Sequence, residues 1–139
     1  MNSASNSNLV FVYGTLLGGE GNHHILSHHN AKFVGTALCD GLGMCVTHGA
    51  FPYCTTAPDT AWSPIGVVGE VYEVSRDCFE SLDRLEGVPH HYTRVLRNIQ
   101  VGDTTRLVWV YVITHVPTGA RHIGKSWRAW KHNSQFASV

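Results

Sequence analysis

Leu9-Val10-Phe11-Val12-Tyr13 is an unbroken run of β-branched, aliphatic and aromatic side chains cut off by Gly14. That pattern predicts a buried strand ending in a tight turn. Gly18-Gly19-Glu20-Gly21-Asn22 reads as a flexible loop, with Asn22 placed to cap a short helix running to about residues 27–29. Weaker strand patterns follow at 32–38 and 43–47. Pro52, Pro58 and Pro64 mark 49–64 as a meandering loop. The stretch 65–74 is a strong strand in which Gly66 and Gly69 signal bulges or close backbone approach. Ser75 as N-cap and Gly87 as stop frame a helix over 76–86. Two more strands are predicted, one at 93–101 with Val95, Ile99 and Val101 on one face, the other at 105–114. The second is apolar on both faces, as expected of a central strand covered on each side. Many strands and two short helices suit an α+β fold on a mixed or barrel-like sheet, since a doubly wound sheet needs a helix between successive strands.

With 139 residues, 43% hydrophobic and 14% charged, the chain suits one compact domain. The expected organisation is a flexible polar leader over 1–8 and a single domain over 9–139. The leader lacks the basic and apolar regions of a secretory signal, and no apolar run approaches a membrane span of about 20 residues. The expectation is therefore a cytoplasmic protein with no membrane association. Cys39, Cys45, Cys54 and Cys78 have no C-x-x-C spacing and read as free, mostly buried thiols.

Ten basic and ten acidic residues cancel, which argues against a generic polyelectrolyte binder. The cancellation hides a split. All ten acids and five bases lie at or before Asp103, a balance of −5, and the other five bases follow with no acid. In that tail, Gly124-Lys125-Ser126-Trp127-Arg128-Ala129-Trp130-Lys131-His132 alternates bases with aromatics. Such interleaving can serve single-stranded nucleic acid. The reading preferred here is an anchor, with Trp127 and Trp130 docked on the acidic body and no nucleic-acid partner.

The helix over 76–86 carries the sharpest chemical signal. At about 100° per residue, Cys78, Phe79, Leu82 and Leu85 gather on one side, and Glu86 falls within the same stripe. A carboxyl sent toward the core must be paired, protonated or kept for proton transfer. Asp83, at the border of the stripe, is open to three roles: partner of Glu86, surface charge or backbone cap. The turn Tyr13-Gly14-Thr15-Leu16 is a second candidate, because successive N–H groups beside a glycine can bind an anion. It is neither a P-loop nor a Rossmann fingerprint. His24 and His28 have a zinc-like spacing, flanked by His23 and His29. No acid lies between them and no second pair matches, so they read as a solvated face and no metal is expected. His90 and His91 stand close enough to Glu86 to line the same cavity. Nothing in the local sequence marks Cys54 or Cys78 as an activated nucleophile.

Three motifs then stand in order: Val10-Phe11-Val12-Tyr13-Gly14-Thr15-Leu16, Gly69-Glu70-Val71-Tyr72-Glu73-Val74, and Leu82-Asp83-Arg84-Leu85-Glu86-Gly87-Val88-Pro89-x-x-Tyr92-x-Arg94. Together they resemble the γ-glutamyl cyclotransferase-like superfamily. Gly21-Asn22-His23 brings the chain nearest to its γ-glutamylamine cyclotransferase branch. The resemblance implies a small mixed β-barrel flanked by short helices, with a cavity at its mouth. It implies a cofactor-independent cyclisation, in which the α-amine of a γ-glutamyl substrate attacks its own γ-carbonyl, giving 5-oxoproline and a free amine or amino acid. Glu86 would be the acid/base. Tyr13, Gly14, Thr15 and Leu16 would hold the α-carboxylate through backbone N–H groups. Read from their side chains, Tyr92 can bond the substrate or Glu86, and Arg94 can form a structural salt bridge with an acid or contact the substrate. The alternative is a noncatalytic module that captures a small anionic ligand in the same cavity. Residues 49–64 and the tail carry none of the motifs, which leaves the leaving group and the oligomeric state open.

Overall fold

The computed structural model describes residues 8–46, 52–55, 66–88, 92–113 and 118–137, with side chains to residue 132. In chain order the elements are β1 (Asn8–Val12), α1 (His24–His28), β2 (Lys32–Cys39), β3 (Gly43–Val46), β4 (Tyr53–Thr55), β5 (Val67–Val74), α2 (Arg76–Glu86), β6 (Thr93–Val101), β7 (Thr104–Val112), β8 (Arg121–His122) and α3 (Trp127–Ala137). Five strands form a mixed sheet in the order β2-β5-β1-β7-β6, and a small sheet has the order β4-β3-β8. β1 runs antiparallel to β5 and parallel to β7. The large sheet curls until its edge strands β2 and β6 approach each other, giving a half-barrel flanked by three short helices.

The central place of β1 explains its composition. Val10 and Phe11 are wholly buried because the strand has neighbours on both edges and packing on both faces. β5 meets it so closely that glycine is required at 69. A Cβ there would lie 2.3 Å from the Val12 carbonyl oxygen and 2.6 Å from Phe11 Cζ. Gly69→Ala is therefore expected to destabilise the fold by about 3 kcal/mol, the upper end of the range for overpacking, as measured by denaturant unfolding. A wild-type midpoint would contradict that account of the sheet.

Several expectations need correction. Asn8 pairs with Val74 and belongs to β1, outside the leader. β4 occupies part of the segment read as a loop, where Met44↔Cys54 pairing supplies order that three residues cannot show as periodicity. Asn22 does not cap α1; its side-chain amide donates to Thr15 Oγ1 at 2.9 Å, and the cap position falls to His23 with no side-chain bond. β7 is covered on both faces only beyond its first half, since Leu107 is 56% exposed. The helix α3 was not predicted; it forms where Trp127 enters the core and Trp130 packs against it. That docking agrees with the anchor reading. His90, His91, residues 1–7 and most of 49–64 lie outside the described residues. Among the described residues, no helix is long and apolar enough to cross a membrane.

Candidate active site

The last turn of α2 carries Glu86, and the ends of that helix follow its sequence. Ser75 Oγ accepts from the Cys78 N–H at 3.1 Å. Gly87 takes the left-handed conformation (φ 68°, ψ 36°), its N–H donating to the Arg84 carbonyl while Val88 N–H donates to that of Asp83. Phe79 and Leu82 are buried, whereas Leu85 is 41% exposed and does not join the core stripe as predicted. Counted around the helix from Leu82, Phe79 and Glu86 lie on one flank and Leu85 about 60° away on the other. Packing covers the first flank along α2 and the second only near its start, where Cys78 is buried.

Glu86 consequently enters a cleft at the mouth of the half-barrel, lined with Phe11, Val12, Tyr13, Gly14, Thr15, Leu16, Pro52, Tyr92 and Tyr111. All six residues singled out from the sequence, Tyr13, Gly14, Thr15, Leu16, Glu86 and Tyr92, meet here. The cleft is open to solvent, with about 380 Å³ of empty space when its mouth is included. Burial raises the Glu86 carboxyl to a pKa of about 7. No hydrogen bond or ion pair joins it to another described residue, so desolvation acts without an offsetting partner.

The opposing wall is the turn after β1. Leu17 N–H donates to the Gly14 carbonyl at 3.0 Å and Asn22 N–H to that of Thr15 at 2.8 Å. His23 Nδ1 lies 2.9 Å from the Leu16 carbonyl oxygen. These bonds hold the carbonyls, while the N–H groups of Gly14, Thr15 and Leu16 have no acceptor among the described residues. Such a row of open N–H donors can receive a carboxylate. Gly14 is also a close approach: a Cβ there would stand 2.5 Å from Pro52 Cγ.

Three tyrosines brace the cleft. Tyr13 donates its hydroxyl proton to the Tyr111 carbonyl at 2.7 Å, and Tyr111 donates its own to Asp83 Oδ1 at 2.6 Å. Arg94 Nε is 3.2 Å from the same oxygen, with its guanidinium over the Phe79 and Trp109 rings. Asp83 thus takes none of the three roles considered for it: its carboxylate is held by Arg94 and Tyr111, and Arg94 forms a structural salt bridge. Tyr92 donates to the Pro52 carbonyl at 3.3 Å and stacks on Tyr53. Burial raises all three phenols above their ordinary range, so they stay protonated. The four thiols are free and buried, and burial drives Cys39 and Cys45 up to about 11. No nucleophile is activated among them.

Pro52 and Tyr111 line the site without having been anticipated. Tyr111 was hidden because it sits in an unbroken apolar run, 107–113, that reads as core, and Pro52 because its segment reads as a loop. His23 was read as part of a solvated face; its position seven residues after Leu16, across a glycine-rich loop, was the available signal.

A curled mixed sheet with this cleft at its mouth defines an AIG2-like half-barrel. A crystal structure of a mouse AIG2-like protein superposes with a TM-score of 0.70 at 25% identity, covering 82% of each chain. The family model described as gamma-glutamyl cyclotransferase, AIG2-like, matches residues 10–129, and the chain belongs to that family. A putative gamma-glutamylcyclotransferase of Drosophila melanogaster is 33% identical over 114 residues, covering 78% of this chain and 71% of the relative. A gamma-glutamylaminecyclotransferase of Danio rerio is 33% identical over 97 residues, covering 66% of this chain and 58% of its own length.

Proposed function

We propose that the protein is a cofactor-independent γ-glutamyl cyclotransferase that converts a γ-glutamyl amine or γ-glutamyl amino acid to 5-oxoproline and the free amine. The observation that carries this reading is a buried carboxyl sharing a cleft with three residues whose N–H groups have no acceptor among the described residues. The α-carboxylate of the substrate sits on the N–H groups of Gly14, Thr15 and Leu16. Glu86 as carboxylate takes a proton from the α-ammonium and passes it to solvent; the freed amine attacks the γ-carbonyl, and Glu86 takes the second proton from the bonding nitrogen. The C–N bond to the leaving amine then breaks as Glu86 returns the proton to it. One group performs both transfers because its pKa lies near the working pH. The attack is intramolecular, so much of the acceleration comes from holding the glutamyl chain folded against the apolar floor of Phe11, Val12 and Tyr111.

A panel of γ-glutamyl amines and γ-glutamyl amino acids, assayed for 5-oxoproline, tests the proposal. Product from at least one member is expected, with kcat/KM falling as pH drops below about 7 and Glu86 becomes protonated. Saturable binding with no product from any member would replace this reading with that of a ligand-binding module.

A further inference from the structure

The loop that continues from the open N–H groups is held from the far end of the chain, by contacts the proposed chemistry does not use. Gly18 N–H donates to Glu70 Oε1 at 3.0 Å, and the Tyr72 hydroxyl donates to the same oxygen at 3.0 Å. Arg128 of α3 donates to Glu70 Oε2 at 3.3 Å and to the Gly18 carbonyl oxygen. Two residues along the loop, Glu20 Oε1 accepts from Lys131 Nζ at 2.7 Å and from Trp127 Nε1 at 3.2 Å. Trp127 is itself buried and stacked on Trp130, with the Lys131 ammonium 5.6 Å from its ring centroid.

Both carboxylates are largely covered, with side-chain exposures of 12% for Glu70 and 13% for Glu20. Covered carboxylates hold their partners more firmly than exposed ones, because leaving them unpaired costs solvation that water no longer supplies. Burial pushes the Glu20 carboxyl up, and the hydrogen bonds from Lys131 and Trp127 outweigh it, leaving the group below its ordinary range. Gly18 and Glu20 are thus fixed to one helix. Upstream, the turn is closed by its own bonds from Leu17, Asn22 and His23. None of the hydrogen bonds just described involves a residue of α2.

We propose that α3 is a clamp on the substrate loop, with Arg128 and Lys131 as positioning residues that keep the Gly14, Thr15 and Leu16 N–H groups aligned on the cleft. The positioning role rests on reading that turn as the carboxylate cradle. Because the clamp acts on the cradle and not on Glu86, its loss weakens substrate binding and leaves the proton transfers alone.

The test compares the full chain with Lys131→Met, Arg128→Met and the double variant. Two readouts are used, steady-state kinetics on a γ-glutamyl compound the wild-type chain turns over and hydrogen exchange of the backbone amides at 14–20. The double variant is expected to raise KM about tenfold, the loss of about one charge-assisted hydrogen bond, with kcat within about twofold and an unchanged acid limb. Exchange at Leu17, Gly18 and Glu20, the hydrogen-bonded amides of the segment, is expected to quicken, and Lys131→Arg to keep wild-type values. Unchanged exchange in the double variant overturns the clamp, whatever the kinetics. Faster exchange with unchanged KM, or a fall in kcat at constant KM, overturns the positioning role. A wild-type chain inactive on the whole panel overturns the substrate reading and that role with it; the exchange measurement then still decides whether α3 holds the loop.

Discussion

Glu86→Gln is expected to lower kcat for γ-glutamyl substrates by about a thousandfold while the fold stays intact. Glutamine keeps the shape of the side chain and removes the only group proposed to accept and return the proton, a service worth about 10² to 10⁴ in rate. No ion pair or hydrogen bond to a described residue is lost with it, so the variant should unfold no more easily than the wild type. Stability adds a second signature. Burial keeps the native carboxyl protonated up to a pH of about 7, against about 4.5 for a glutamate in water, so between those values the folded state binds more protons than the unfolded one. Wild-type stability therefore declines as pH rises through this window and levels off above it. The glutamine variant escapes that decline. It should match the wild type near pH 4 and exceed it at pH 8 by up to about 3 kcal/mol. Denaturant curves at the two pH values read this directly. Undiminished turnover in the variant would remove Glu86 from the mechanism, and equal stabilities at pH 8 would mean that the carboxyl is not desolvated.

Gly14→Ala should be nearly as damaging, for a steric reason. The added carbon would sit 2.5 Å from Pro52 Cγ and 2.8 Å from Cδ. A pyrrolidine ring cannot swing aside as a flexible side chain does. Pro52 is moreover tied to the cleft, because its carbonyl accepts from Tyr92. The turn and Pro52 must therefore separate, which shifts either the open N–H groups or the tyrosine wall. Displacements of about 1 Å in a preorganised site can cost about a hundredfold, and that is the expected loss in kcat/KM, mostly as a higher KM. Wild-type kinetics would exclude the turn from the substrate site.

Much of this site could be read before any coordinates. The helix bearing Glu86 announces itself at both ends through Ser75 and Gly87, and β1 through an apolar run with no interruption. These signals are local: a capping hydroxyl, a left-handed glycine, a strand buried on both faces. What escaped the sequence depends on partners distant along the chain. β4 and β8 have three and two residues and are ordered by pairing with β3. Asn22 has the side chain of a helix cap and is taken instead by Thr15, a competitor seven residues away. Leu85 and Glu86 could each have faced inward, and only the placement of α2 on the sheet decides between them. The basic tail showed its charge and its tryptophans but not its helix, although a cap was there to be read: Ser126 precedes the helix and its Oγ accepts from the Ala129 N–H at 3.2 Å.

Tyr111 occupies a singular place among the residues that brace the cleft. Its carbonyl receives the Tyr13 hydroxyl, at the root of the turn, and its hydroxyl reaches Asp83, one helical turn before Glu86. Both jaws of the cleft are thus gauged from one residue of one strand. A displacement of β7 at Tyr111 would therefore be passed to the turn after β1 and to the last turn of α2 together.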